Sequence, residues 1–226
     1  MMTSAFMAAT TSSRYQKWNT DPRVERDLAP YFLWDIDVCA HSPNICETYW
    51  TEEDDCLSKD WKPYPLRFMN PEYGRKIGKF INKAAQYVND DDNEFEAPHG
   101  TTVCLMPSRT GTAWFQDHAP LASQIVYIRG RLIFGSDEYW EWLWSQPTLP
   151  GRGGKPKANA LFEKYGRKDA APFDSCFMVF GWGLTLEQRV KLDSYGRSEW
   201  PQGTVLIEDW HRKYYPEAAQ PMWREA

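Results

Sequence analysis

Nothing in the 226-residue sequence is apolar for long enough to cross a bilayer, and residues 1–13 have neither a basic start nor an extended apolar segment. Neither a membrane anchor nor a secretion signal is expected. The five cysteines never form a Cys-x-x-Cys pair, and His41, His99, His118 and His211 make no ligand motif with their neighbours, which argues against a metal centre. An odd number of cysteines without a secretion signal points instead to reduced thiols in an intracellular compartment. Cys104 and Cys176 lie in apolar runs and read as core residues. The formal net charge of −5 lacks the positive excess that would advertise a nucleic-acid binder, although a net value can hide a local patch.

What is present describes an ordinary globular chain: 42% apolar residues, 15% aromatics and 25% charged, with an unusual load of 12 tryptophans. Such a length supports one domain with a real core and leaves little room for two. Residues 1–13 read as a disordered tail, with a mitochondrial presequence as the alternative, and 14–226 as a single domain. A basic patch does exist. Between positions 151 and 168 lie Arg152, Lys155, Lys157, Lys164, Arg167 and Lys168 against the single acid Glu163, among glycines and prolines. A solvated loop and a phosphate-gripping segment both fit that composition.

The chain is organised around Arg67-Phe68-Met69-Asn70-Pro71-Glu72-Tyr73-Gly74. An apolar pair runs into an amide, a φ-fixing proline, an aromatic and a glycine, which reads as a strand ending in a rigid loop. Ile77, Phe80, Ile81, Ala84 and Ala85 then recur at helical spacing. The loop therefore falls at the carboxyl end of a strand, where open α/β sheets place their ligands. A short helix is expected over 23–31 after Asp21-Pro22, followed by strands over 32–40, 48–51, 101–106, 124–128 and 176–180. The order of these elements implies a mostly parallel sheet with helices on both faces. A helix at 139–144, a further strand at 203–207 and a last helix at 210–215 complete the reading.

Asn70-Pro71-Glu72-Tyr73 resembles the Asn/Asp-Pro-Pro-Tyr catalytic loop of amino-methyltransferases, with Glu72 in place of the second proline. The likeness extends through Trp18-x-Thr20-x-Pro22, Ile36-Asp37-Val38-Cys39-Ala40, the run from Tyr49-Trp50 to Asp54-Asp55-Cys56-Leu57, and Asp60-Trp61. It continues through Pro107-Ser108-Arg109-Thr110, Trp114-Phe115, Arg129-Gly130-Arg131-Leu132-x-Phe134-Gly135 and Pro172-Phe173-x-Ser175. In that order the motifs are similar to those of the phage-type DNA N6-adenine methyltransferases of phages, prophages and mobile elements.

The resemblance implies a Rossmann-like class I methyltransferase fold and S-adenosylmethionine as methyl donor, with S-adenosylhomocysteine as product and no metal. It implies that Asn70, through its side-chain oxygen, and Pro71, through its carbonyl, accept the two hydrogens of an adenine N6 amine, while Tyr73 stacks on the flipped base. Trp18, Thr20, Asp37, Cys39, Ala40 and Asn70 would line the donor's pocket, although the usual glycine-rich form of that loop is absent, and Asp55 or Asp54 would accept from the donor's adenine. Arg109, Thr110, Arg129 and Arg131 would grip double-stranded DNA, joined by Arg152, Lys155 and Lys157 from an insertion at 136–170 that reads or clamps DNA or else packs on a partner subunit. A monomer or homodimer is expected, cytoplasmic in a bacterial or phage setting and nuclear in a eukaryotic one. Two alternatives stand beside this: methylation of another planar amine (cytosine N4, RNA adenine, protein glutamine), and a catalytically silent member that only binds DNA or a partner.

Overall fold

The computed structural model describes residues 20, 22–40, 45–89, 100–132, 134 and 173–201. Among them six strands form one sheet: β1 (Ile36–Asp37), β2 (Leu66–Met69), β3 (Thr101–Pro107), β4 (Gln124–Ile128), β5 (Ser175–Phe180) and β6 (Gly196–Glu199), in the order β1-β2-β3-β5-β4-β6. The helices are α1 (Pro22–Leu28), α2 (Ile77–Asn89), α3 (Ala113–His118) and α4 (Leu186–Asp193). The expected helix and strand at 139–144 and 203–207, the last helix at 210–215 and the insertion at 136–170 lie outside the described residues.

Alternation along the central strands explains why the sheet is covered on both faces. Met69, Cys104, Met106, Ile125, Cys176, Met178 and Phe180 join Ile77, Ile81, Ala84 and Phe115 in one buried cluster, under α2 and α3. Phe68, Val103, Leu105, Val126, Phe177 and Val179 join Val24, Leu28 and Leu192 in the other, under α1 and α4. A continuous apolar strand such as Cys176-Phe177-Met178-Val179-Phe180 thus serves both layers. Cys104 and Cys176 are fully buried, as their apolar runs suggest.

The pairing corrects the expectation of a mostly parallel sheet. β1-β2 and β2-β3 are parallel, whereas β3-β5, β5-β4 and β4-β6 are antiparallel. Since β5 opposes both of its neighbours, β4 points the same way as β1, β2 and β3. The reason lies in the connection from β4 to β5, which leaves and re-enters at the same end of the sheet and so returns a reversed strand between β3 and β4. Strand β6 arises from Gly196-Arg197-Ser198-Glu199, a polar run with no strand signature, and is held by backbone pairing to β4. The strand expected over 32–40 shortens to two residues, Ile36–Asp37; before it, Phe32 and Trp34 stack on each other at 4.5 Å. That expected at 48–51 reduces to a single parallel bridge between Asp37 and Tyr49.

Candidate functional site

Four co-directed strands deliver their carboxyl ends to one edge of the sheet. The loops that follow Asp37, Met69, Pro107 and Ile128 gather there, and the reversed β5 brings its first residues to the same place, with Ser175 opposite Pro107. Phe173 and Asp174 accordingly join loops that come from far away in sequence.

Asn70, 8% exposed, follows β2 on this edge. Its Nδ2 donates to Thr20 Oγ1 at 3.0 Å, and its Oδ1 accepts from the Tyr73 hydroxyl at 2.7 Å. The same hydroxyl lies 3.2 Å from the Leu105 carbonyl. The Tyr73 ring meets Phe134 and Phe173 nearly edge-on, at 5.6 and 5.4 Å between centroids. Pro71 is buried, whereas Glu72 is exposed, so its charge is hydrated and adds no buried carboxylate. A bond from the Gly74 N–H to the Glu72 carbonyl at 2.9 Å tightens the turn into α2.

Beside this loop lies Asp37, 4% exposed, whose Oδ1 accepts from the Cys39 N–H at 3.0 Å. Burial pushes its carboxyl up from 3.8 to about 7, against the opposing pull of that one backbone donor. Such an acid gains from any further donor or cation that reaches it. Ala40 is buried and anchored by its N–H to the Trp50 carbonyl at 2.9 Å. Cys39 Sγ stands 3.5 Å from Cys56 Sγ, which links the Asp37 loop to the acidic turn Glu52–Asp54 and its neighbour Asp55. Desolvation raises the Cys39 thiol well above its usual range, so it is no nucleophile.

The two acids of that turn are not equivalent. Asp54 Oδ2 accepts from the Thr51 N–H at 2.8 Å and the Thr51 hydroxyl at 3.1 Å, which holds its carboxyl below the ordinary range. It is occupied in capping its own turn. Asp55 is exposed and takes φ 49°, the only positive φ outside glycine among the described residues. A left-handed aspartate costs about 1–2 kcal/mol, which is retained only where the surroundings impose it. The loop is imposed from below: Trp61 Nε1 donates to the Cys56 carbonyl at 2.8 Å, Arg67 Nη1 to the Trp61 carbonyl at 2.9 Å, and Lys83 Nζ to the Leu57 and Lys59 carbonyls at 2.7 and 2.5 Å.

Across the edge from these acids lie the arginines. Arg109 is half-buried in a turn that its carbonyl closes by accepting from the Thr112 N–H and hydroxyl, and Thr110 is exposed. Arg129 is exposed, with its N–H fixed to the Tyr195 carbonyl at 2.8 Å. Arg131 pairs with Asp174 at 3.4 Å, both side chains more than half exposed, a contact weak enough to be exchanged for another anion. Trp18, Arg152, Lys155 and Lys157 lie outside the described residues. Reasoning from sequence alone misses Phe134 and Phe173 as the seat of the Tyr73 ring, because no periodicity brings two separate loops together.

The arrangement offers a buried amide oxygen, an aromatic ring and a desolvated acid at one end of the sheet. Among the described residues no three His, Cys, Asp or Glu side chains form a group able to hold a metal ion. Acceptors placed this way suit orientation of a planar amine. Comparison with known proteins agrees with that chemistry. Residues 7–147, more than half of the chain, match the family model described as DNA N-6-adenine-methyltransferase (Dam). A curated relative, the DNA N-6-adenine-methyltransferase of Escherichia phage T1, is 28% identical over 117 residues, covering 51% of this chain and 45% of that protein. The aligned part thus spans somewhat under half of the relative's length.

Proposed function

The chain belongs to the DNA N-6-adenine-methyltransferase family, and on that premise we propose that it transfers a methyl group from S-adenosylmethionine to the N6 amine of an adenine flipped out of double-stranded DNA. The observation that carries this reading is the buried Asn70 amide, held between Thr20 and Tyr73 at the carboxyl edge of the sheet. The strand order, with one reversed strand set between β3 and β4 and helices on both faces, supports a Rossmann-like class I methyltransferase.

The residues present suit the donor. Asp37 is a desolvated acid facing the same edge as Asn70 and fits the cationic amino group; Ala40 lets backbone approach closely, and exposed Asp55 fits the exocyclic amine of the donor's adenine. S-adenosylmethionine supplies a methyl carbon on a sulfonium leaving group. Asn70 Oδ1 and the Pro71 carbonyl accept the two N6 hydrogens, which withdraws the nitrogen lone pair from the ring and turns it toward that carbon. The N6–carbon bond forms as the carbon–sulfur bond breaks with its electron pair going to sulfur, and the surplus N6 proton leaves to water. Reaching this loop from a duplex requires the base to rotate out, and Tyr73, turned from its seat between Phe134 and Phe173, offsets lost stacking. Arg109, Arg129 and Arg131 hold phosphates of the distorted strand, with Arg131 leaving Asp174.

The test is transfer of labelled methyl from S-adenosylmethionine to unmethylated duplex DNA, followed by nucleoside analysis, with Glu72→Pro in parallel. Label in N6-methyladenine is expected for the native chain. Because Glu72 is exposed and the Gly74 bond uses its carbonyl and not its N–H, proline should be accommodated and transfer should rise by roughly 2- to 5-fold on removal of a charge near phosphate. Label in cytosine, RNA or protein would replace the substrate. Silence in the native chain with label in Glu72→Pro would identify a member silenced at this loop.

Asp55 provides a second test, because strain and binding pull in opposite directions there. Asp55→Gly should raise Tm by a few degrees, since glycine relieves a left-handed cost of about 1 kcal/mol, while weakening S-adenosylmethionine binding about tenfold. A variant that gains stability at unchanged affinity would place the donor's adenine elsewhere.

A further inference from the structure

We propose that Thr20 is a positioning residue for Asn70: its hydroxyl accepts from Nδ2 and holds that end of the amide, which leaves the oxygen, and not NH2, to meet the incoming amine. This rests on the methyl-transfer reading above and gives Thr20 a task other than lining the donor pocket. An asparagine amide is nearly symmetric in shape and opposite in chemistry at its two ends: one accepts, the other donates. An amine placed against Nδ2 would meet a second donor, and its lone pair would stay in the ring. Something must therefore hold the order.

Among the described residues, two groups hydrogen-bond to the amide. Tyr73 donates to Oδ1 at 2.7 Å, and Thr20 Oγ1 accepts from Nδ2 at 3.0 Å. The first of these contacts occupies the acceptor that the reaction uses, so it has to break when the amine arrives. As Tyr73 turns to stack on the base, its hydroxyl leaves Oδ1. The Thr20 contact lies on the far end of the amide, where it survives that change. It also sits out of water, with Thr20 at 2% and Asn70 at 8% exposure, so solvent cannot take over the acceptor's place. The residues are fifty positions apart in sequence, and the entry to α1 is what brings Thr20 over the loop after β2.

A double-substitution cycle reads this directly. An aspartate at position 70 has two equivalent oxygens and no order to lose. Thr20→Val should therefore lower kcat roughly 10- to 100-fold in the native chain, as expected for a misplaced reacting group, but no more than about threefold in an Asn70→Asp background. S-adenosylmethionine affinity, measured by titration, should stay within about twofold throughout, and Thr20→Ser should restore most of kcat. Equal losses in both backgrounds, a parallel loss of donor affinity, or a Thr20→Ser as slow as Thr20→Val would overturn the assignment. A second readout needs no activity. The Asn70 side-chain amide pair, identified as the one missing from the Asn70→Asp NMR spectrum, should be protected from exchange in the native chain and Thr20→Ser and lose that protection in Thr20→Val. Protection that persists in Thr20→Val refutes the contact. A native chain that moves no methyl to DNA while showing this pattern would refute the reaction and leave the positioning contact standing.

Discussion

Asn70→Ala is expected to lower methyl transfer to DNA by roughly 100- to 1,000-fold while leaving the S-adenosylmethionine dissociation constant within about threefold, the range seen when a preorganised polar group at a reacting atom is removed. The asymmetry follows from where the side chain is spent. Its oxygen faces the hydroxyl of Tyr73 and its nitrogen the hydroxyl of Thr20, and neither partner belongs to the acidic loops at Asp37 and Asp55. Removing the amide therefore leaves the proposed donor seat intact and deprives the N6 amine of its acceptor. The fold should tolerate the change, since Tyr73 keeps the Leu105 carbonyl at 3.2 Å and the loss is about one to two hydrogen bonds, on the order of 1–3 kcal/mol. Isothermal titration with the donor, beside a single-turnover assay on DNA, separates the two quantities. Equal loss of both would mean that the loop after β2 holds the donor and that the amine is oriented elsewhere.

The same loop shows what a sequence can carry. The stretch from Phe68 to Gly74 announces a strand and its rigid end because apolar run, proline and glycine are local signals, and both strand and loop stand where those signals put them. Direction is not a local signal. The apolar run from Cys176 to Phe180 is equally good in either sense, and only the return of the chain to the same edge makes it antiparallel to β3 and β4. The difference between Asp54 and Asp55 is likewise invisible in a run of four acids, since it lies in which carboxylate caps the turn and which residue takes the left-handed conformation. Thr20, Phe134 and Phe173 were legible as members of motifs. What they touch was not, because those contacts join loops separated by dozens of residues and follow from packing.

Donor binding is expected to release protons near neutral pH, and Asp37 supplies the reason. Burial raises its carboxyl from 3.8 to about 7, so in the free protein at pH 7 it is protonated about half the time. An ammonium group brought beside it favours the carboxylate and lowers its pKa, so binding at pH 7 should release up to about half a proton. Affinity should accordingly rise between about pH 5.5 and 7 and then level off. For stability the sign is opposite. Between about pH 4 and 7 the folded chain holds a proton that the unfolded chain has lost, so this group's contribution is fully present below its unfolded pKa and is lost as pH climbs through 7. Asp37→Asn keeps an oxygen for the Cys39 N–H and removes the charge. It should abolish the proton release and weaken the donor roughly 10- to 100-fold, as for loss of a charge-assisted hydrogen bond, yet gain stability over the native chain as pH rises from 5.5 to 8. Titration calorimetry in two buffers of different ionisation enthalpy measures the released protons, and thermal melts across pH measure the second effect. Proton release that survives in Asp37→Asn would assign the linkage to another group, whereas its loss without a change in affinity would mean that Asp37 titrates on binding without touching the donor.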